Sequence, residues 1–183
     1  MQNYLKGINQ ELLQKASKIK LLITDVDGVL TDGGIILDDK GLEYKKFNVK
    51  DGLIVQYLKI NKIKTCVISG RDSEAVKNRC VALGIDFHYH GITEKSVKLE
   101  GLLLKLGISF EECACIGDDI WDLPLLAQVG FSAAPADALP YIREQVDFVS
   151  SLEGGKGVFR EVSDLILIAK GLLDPIIHQA IQP

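Results

Sequence analysis

Short apolar runs recur along the 183-residue chain, each closed by polar or small residues, with helix-length stretches between them. The runs at 20–24, 64–69, 85–88, 112–117, 131–133 and 148–149 are rich in branched side chains. They are too short for helices and predict strands of a buried parallel sheet. Segments near 52–60, 73–83, 95–106, 121–127, 139–145 and 157–172 are the helix candidates. This alternation predicts an α/β fold, a Rossmann-like parallel sheet with helices on both faces. Leu5, Ile8, Leu12 and Leu13 share helical spacing and predict a short amphipathic helix packed on the domain.

One stretch breaks the alternation. Residues 33–48 hold two β-prone runs around an aspartate- and glycine-containing turn at 38–41, which reads as a β-hairpin. It follows the first strand and precedes the first crossover helix, so it is expected at the edge of the sheet where ligands bind. With no repeat, low-complexity tract or linker, the chain reads as one domain over 1–183, with a tail from about 173.

Composition narrows the classes. Hydrophobic content of 47% and charged content of 25% are those of a soluble globular protein. A net charge of −4 argues against nonspecific nucleic-acid binding. No apolar run approaches the roughly 20 residues that cross a bilayer. The first residues lack the apolar core and cleavage site of a secretory signal. Cys66, Cys80, Cys113 and Cys115 show no C-x-x-C spacing and read as buried free thiols rather than metal ligands. A reducing cytoplasm is the expected location. His88, His90 and His178 are given no catalytic role.

Candidate chemistry gathers at strand ends. LLITDVDGVLTD, residues 21–32, ends an apolar run in Asp25 and Asp27. Two carboxylates at such an edge can hold a hard cation and attack an electrophile. IGDDIWD, residues 116–122, places Asp118, Asp119 and Asp122 after another apolar run, a costly grouping without a cation. The plainer alternatives are a D-G turn in the first case and an acidic helix cap in the second. VISGRDS, residues 67–73, ends a strand run with Ser69 and opens a helix whose backbone N–H groups suit an anion.

The D-x-D-G-x-x-T arrangement of Asp25, Asp27, Gly28 and Thr31 resembles the haloacid dehalogenase superfamily. The resemblance implies a phosphatase with Asp25 as nucleophile and Asp27 as general acid and base. It makes Mg²⁺ the cofactor, held by Asp25, the backbone carbonyl of Asp27 and Asp118, with Asp119 and Asp122 supporting from behind. Ser69 and Lys95 would stabilise the transferred phosphoryl group, and Lys98, one helical turn on, is the rival lysine.

Cap domains of that superfamily insert after the first motif or between the second and third. Neither gap here has room for one, so selectivity is expected to come from a neighbouring subunit. The capless form with a hairpin resembles the 3-deoxy-D-manno-octulosonate 8-phosphate phosphatase family over about residues 21–173. The segments that carry it are DVDGVLTDG (25–33), FNVKDG (47–52), SGR (69–71), GDDIWDLP (117–124), ADALP (136–140) and GGKGVFRE (154–161).

By this resemblance the enzyme serves lipopolysaccharide precursor synthesis as a homotetramer with hairpins at its centre. The C-terminal tail would reach a neighbour's site, although a short apolar tail can also fray. The substrate contacts carry over to Asp27, Asn48, Lys50, Asp51, Gly52, Arg71, Arg79 and Lys95. Lys50 stands where the family usually has arginine, and Ser69 where it commonly has threonine. Leu53, Ile54 and Trp121 also depart from the family pattern. Rival readings are a phosphatase for a nonulosonate 9-phosphate, a non-catalytic oligomerisation module and a phospho-aspartate receiver.

Overall fold

The computed structural model describes residues 8–181. Leu5 of the expected N-terminal helix lies outside them. The helix itself is present as α1 (Gln10–Ser17), capped by the Asn9 side chain.

Six strands form one parallel sheet: β1 (Leu21–Thr24), β4 (Lys64–Ile68), β5 (Phe87–Tyr89), β6 (Cys113–Ile116), β7 (Phe131–Ala134) and β8 (Phe148–Val149). Their order is β5-β4-β1-β6-β7-β8. From β1 the chain steps outward through α2 (Val49–Ile60) to β4 and through α3 (Glu74–Leu83) to β5. It then returns through α4 (Lys95–Leu106) to β6, on the other side of β1.

Right-handed crossovers put helices on opposite faces when the direction of travel reverses. Accordingly α1, α2, α3 and α7 (Val158–Ala169) cover the face built from Leu22, Val67, Ala114, Ile116 and Phe131. Helix α4, α5 (Leu123–Leu126) and α6 (Pro140–Arg143) cover Leu21, Ile23, Cys66, Ile68, Cys113 and Cys115. The reversal leaves a crevice between the carboxyl ends of β1 and β6, where open α/β sheets bind ligands.

The excursion after β1 is a hairpin of β2 (Ile36–Leu37) and β3 (Glu43–Tyr44). Its turn is locked locally. Asp38 Oδ1 accepts from the N–H groups of Lys40 and Leu42, and Gly41 supplies the left-handed φ of +79°.

Several boundaries differ from the sequence expectation. Pro124 cannot donate within a helix, so 121–127 divides into a 3₁₀ turn, Ile120–Asp122, and the short α5. Similarly, Pro140 starts α6 and shortens the 139–145 helix. The Asp86 carboxylate takes the Thr65 N–H at 2.9 Å, which delays β5 until Phe87. The helix expected over 157–172 stops at Ala169, and Gly171, at φ +69°, turns the chain into a new helix, α8 (Leu173–Ile181). The described part of the tail is thus helical, packed on the core through Leu173 and Ile176.

Candidate active site

Strand ends and close glycine contacts assemble the site. Asp25 follows β1, its N–H donating to the carbonyl of Ile116 at 3.0 Å. Asp118 lies just past β6 on the facing side of the crevice. Between them stands Gly28 at φ +89°, and a Cβ there would lie 2.0 Å from Asp118 Oδ2. The glycine of D-x-D-G therefore makes room for the Asp118 carboxylate of another motif. Gly117 plays the same part for Asp122, whose Cβ would be 2.4 Å from a Cβ at that position.

Asp25, Asp118 and Asp122 each bring a carboxylate oxygen to within 4.8 Å of the others. A buried cation meets two of them. Lys95 Nζ lies 2.7 Å from Asp25 Oδ1 and 2.7 Å from Asp122 Oδ1. Lys98, the rival lysine, is turned elsewhere: its Nζ sits over the Tyr89 ring, 4.1 Å from its centroid.

Asp122 is spent on structure. Its Oδ2 accepts from the N–H groups of Asp118 and Asp119 while Oδ1 holds Lys95. Asp119 is exposed and caps the 3₁₀ turn, accepting from Ile120 N at 2.6 Å. That leaves Asp25 and Asp118 as the donors for a cation. Among the described residues Asp118 Oδ1 is buried with no hydrogen-bond partner, as a ligand awaiting an ion would be.

Electrostatics agree. Burial, with Asp122 beside it, pushes the Asp25 carboxyl up despite the opposing pull of Lys95. Burial and the neighbouring carboxylates of Asp25, Asp122 and Asp119 push Asp118 up to about 8. Burial disfavours a charged Lys95, but Asp25 and Asp122 outweigh it and hold its pKa above the usual lysine value. A divalent cation would restore the charge balance, so the residues present fit Mg²⁺.

A stability prediction follows from the signs. Asp118 titrates higher folded than its ordinary 3.8, so the metal-free fold binds the extra proton and loses stability as pH rises from there through about 8. Mg²⁺ should therefore raise the melting temperature more at about pH 8 than at about pH 5. Thermal melts in Mg²⁺ and in EDTA check this. A pH-independent gain would contradict it, and Asp118→Asn should flatten the difference.

Asp27 faces the same cleft, a cavity of about 350 Å³ lined also by Ser69, Gly70, Arg71, Lys95, Trp121 and Asp122. Ser69 is buried, and its Oγ accepts from the Arg71 N–H at 3.2 Å. Sequence reasoning missed two groups here. Lys45, from the hairpin, buries its amine in an ion pair with Asp27 and a second, at 3.3 Å, with Glu43. Glu43 Oε1 in turn lies 2.7 Å from Arg71. The hairpin thus straps the proposed acid–base residue to the loop after β4. Only the alternation of the E-Y-K run, which puts Glu43 and Lys45 on one side of a strand, hinted at this.

The other expected substrate contacts are not brought into the cleft of this chain. Asn48 caps α2, accepting from Lys50 N, and donates to Gly155 O. Lys50 is exposed. Asp51 accepts from Arg160 N at 2.9 Å, and burial pushes its carboxyl to about 6. Arg79 donates to Asn48 O and stacks on Phe47 beside Gly52. These four polar residues and Gly52 form a buried-to-surface cluster around the start of α2.

Comparison with known proteins gives the family. A family model of haloacid dehalogenase-like hydrolases matches residues 48–130. The 3-deoxy-D-manno-octulosonate 8-phosphate phosphatase KdsC of Escherichia coli (strain K12) is 42% identical over 174 residues, covering 95% of this chain and 93% of that protein. The chain belongs to the 3-deoxy-D-manno-octulosonate 8-phosphate phosphatase family.

Among solved members of this family, the Moraxella catarrhalis phosphatase was determined with a magnesium ion, a phosphate ion and a KDO molecule. It superposes with a TM-score of 0.90 at 41% identity, covering 92% of this chain and 97% of its own. The cobalt-bound Haemophilus influenzae enzyme gives 0.83 at 47% identity, covering 86% of this chain and 92% of its own. The family's capless α/β fold, expected from the two short gaps between motifs, is the one seen here.

Proposed function

We propose that this chain hydrolyses 3-deoxy-D-manno-octulosonate 8-phosphate to the sugar acid and phosphate through an aspartyl-phosphate on Asp25, in lipopolysaccharide precursor synthesis. The observation that carries the chemistry is the convergence of Asp25, Asp27, Ser69, Lys95 and Asp118 from four chain segments on one crevice. Family membership supports the substrate.

Asp25, Asp118 and the backbone carbonyl of Asp27 would hold Mg²⁺, which when bound neutralises phosphate charge so that a carboxylate can approach. An Asp25 oxygen bonds to phosphorus as the P–O8 bond breaks, and Asp27 gives its proton to the leaving alkoxide. Lys95 and the Ser69 hydroxyl bear on the oxygens of the transferring group. Water then attacks phosphorus, Asp27 takes its proton, and the aspartyl–phosphorus bond breaks. Lys45, paired with Asp27, holds that carboxylate in the cleft.

Phosphate release from the octulosonate 8-phosphate, a nonulosonate 9-phosphate and a hexose phosphate, with Mg²⁺ and with EDTA, tests this reading. Metal-dependent preference for the first is expected. Preference for the nine-carbon acid would overturn the substrate, and no activity on any would overturn the enzyme.

The reading extends to a homotetramer acting in the cytoplasm, with hairpins at its centre. Ile35, Ile36, Leu37, Leu42 and Tyr44 support it, since all are more than half exposed on the hairpin. Four free thiols suit a reducing compartment. No helix among the described residues is long and apolar enough to cross a membrane. A Leu37→Lys, Leu42→Lys double variant is expected to sediment as smaller species than wild type and to raise KM more than it lowers kcat. A wild-type monomer at micromolar concentration would contradict the assembly.

A further inference from the structure

Cys80, His88 and His90 lie outside the cleft and take no part in the mechanism above. The fold brings them together for simple reasons. His88 is paired in register with Val67 of β4, and Val67 packs with Cys80 of α3 in one apolar cluster. In-register neighbours share a face, so His88 turns toward α3, and His90, two residues on, turns the same way. Phe87 and Tyr89 point into the opposite core. One donor atom from each of Cys80, His88 and His90 falls within 4.8 Å of the other two.

Three features mark this as more than a chance cluster. First, His88 Nδ1 and His90 Nε2 face each other in a 2.9 Å hydrogen bond, so one nitrogen of each ring is already turned toward the other. The edge of a zinc tetrahedron with 2.0–2.1 Å bonds is about 3.3 Å between nitrogens, so a small opening admits an ion. Second, His90 Nδ1, on the far side of that ring, is buried with no hydrogen-bond partner among the described residues, so the ring is under-satisfied as it stands. Third, burial and the neighbouring His88 hold the His90 ring below the usual histidine range, in its neutral, ligating form.

We propose that Cys80, His88 and His90 form a second metal site, for Zn²⁺ or another borderline-soft divalent cation, with water as the fourth ligand. A thiol and two imidazoles select such ions over Mg²⁺, which prefers the all-oxygen donors of the cleft. Burial pushes the Cys80 thiol up to about 11, so binding breaks the S–H bond, sends its proton to solvent and forms a metal–sulfur bond, while the proton between the two rings passes to the far nitrogen of its own ring. The ion would clamp α3 to the edge strand β5. That strand supports the catalytic loop directly: Ser69 N donates to Tyr89 O at 3.0 Å, and Gly91 N to Arg71 O at 3.3 Å.

Chelator-stripped protein titrated with Co²⁺ in excess Mg²⁺ tests the site. A thiolate-to-cobalt charge-transfer band is expected at one equivalent, since the all-carboxylate cleft has no sulfur to give one. Zn²⁺ should displace it, Cys80→Ser should abolish it, and His90→Gln should weaken Co²⁺ binding by more than about tenfold. No band in wild type, or an unchanged band in Cys80→Ser, would overturn the proposal. Should Cys80→Ser fail to fold, a His88→Leu, His90→Gln double variant keeps the thiol. Zn²⁺ should raise the melting temperature of wild type but not of that variant, and equal shifts in both would overturn the site.

Discussion

Asp25→Asn is expected to fold like wild type and to release phosphate at least about ten-thousand-fold more slowly, because removing a nucleophile removes the covalent route. The amide oxygen that replaces the carboxylate cannot attack phosphorus, and one metal donor loses its charge. Stability moves the other way. In the metal-free protein Asp25 shares a buried crevice with Asp118 and Asp122, and burial and Asp122 both push its carboxyl up. Neutralising one member of that crowd relieves repulsion, so the metal-free variant should melt no lower than wild type. Lys95 keeps its second partner, Asp122, at 2.7 Å. Phosphate release and thermal melting on the same samples separate the two effects. Activity within tenfold of wild type would exclude Asp25 as the nucleophile.

Lys95→Met should damage both catalysis and the fold. The ammonium is 4% exposed and bridges two carboxylates. Methionine fills similar space without charge, leaving Asp25 and Asp122 buried and unbalanced. Breaking a buried ion pair from one side costs about 3–5 kcal/mol, seen as a lowered melting temperature in EDTA. The pH dependence has a definite sign. Lys95 has a raised folded pKa, so its stabilisation is fully present below the ordinary lysine value of 10.5 and is lost as pH rises through the higher folded value. At neutral pH wild type therefore has all of it. The variant's deficit should shrink on acidification as the stranded Asp25 carboxylate protonates. Loss of a cation facing the transferring phosphoryl should lower kcat by about 100- to 1,000-fold. Lys98→Met is the control, since Lys98 lies over Tyr89 instead. An equal loss in that variant would sink the assignment.

Much of this site was legible along the chain. Asp25, Asp27, Ser69, Asp118 and Asp122 each follow an apolar run, and the carboxyl ends of parallel strands are where side chains meet ligands. Lys95 against Lys98 was a choice between neighbouring turns of one helix, and sequence spacing had no means of making it. The structure places Lys95, and not Lys98, within reach of two carboxylates. Lys45 and Glu43 escaped notice for another reason. Their run reads as an exposed hairpin strand, and their partners Asp27 and Arg71 come from distant parts of the chain.

Local chemistry therefore determined the order of strands and helices, the hairpin and the acidic strand ends, because hydrophobic period, turn residues and strand length act over a few neighbouring positions. Tertiary structure alone decided three things. It gave Asp118 its place against Gly28, where a single Cβ would collide with the carboxylate. It placed Asn48, Asp51 and Arg79 around the start of α2 and outside the chain's own cleft. It also brought Cys80 to His88 and His90. Each of these depends on parallel pairing and crossover handedness, which join segments whose separation along the chain carries no signal of their contact.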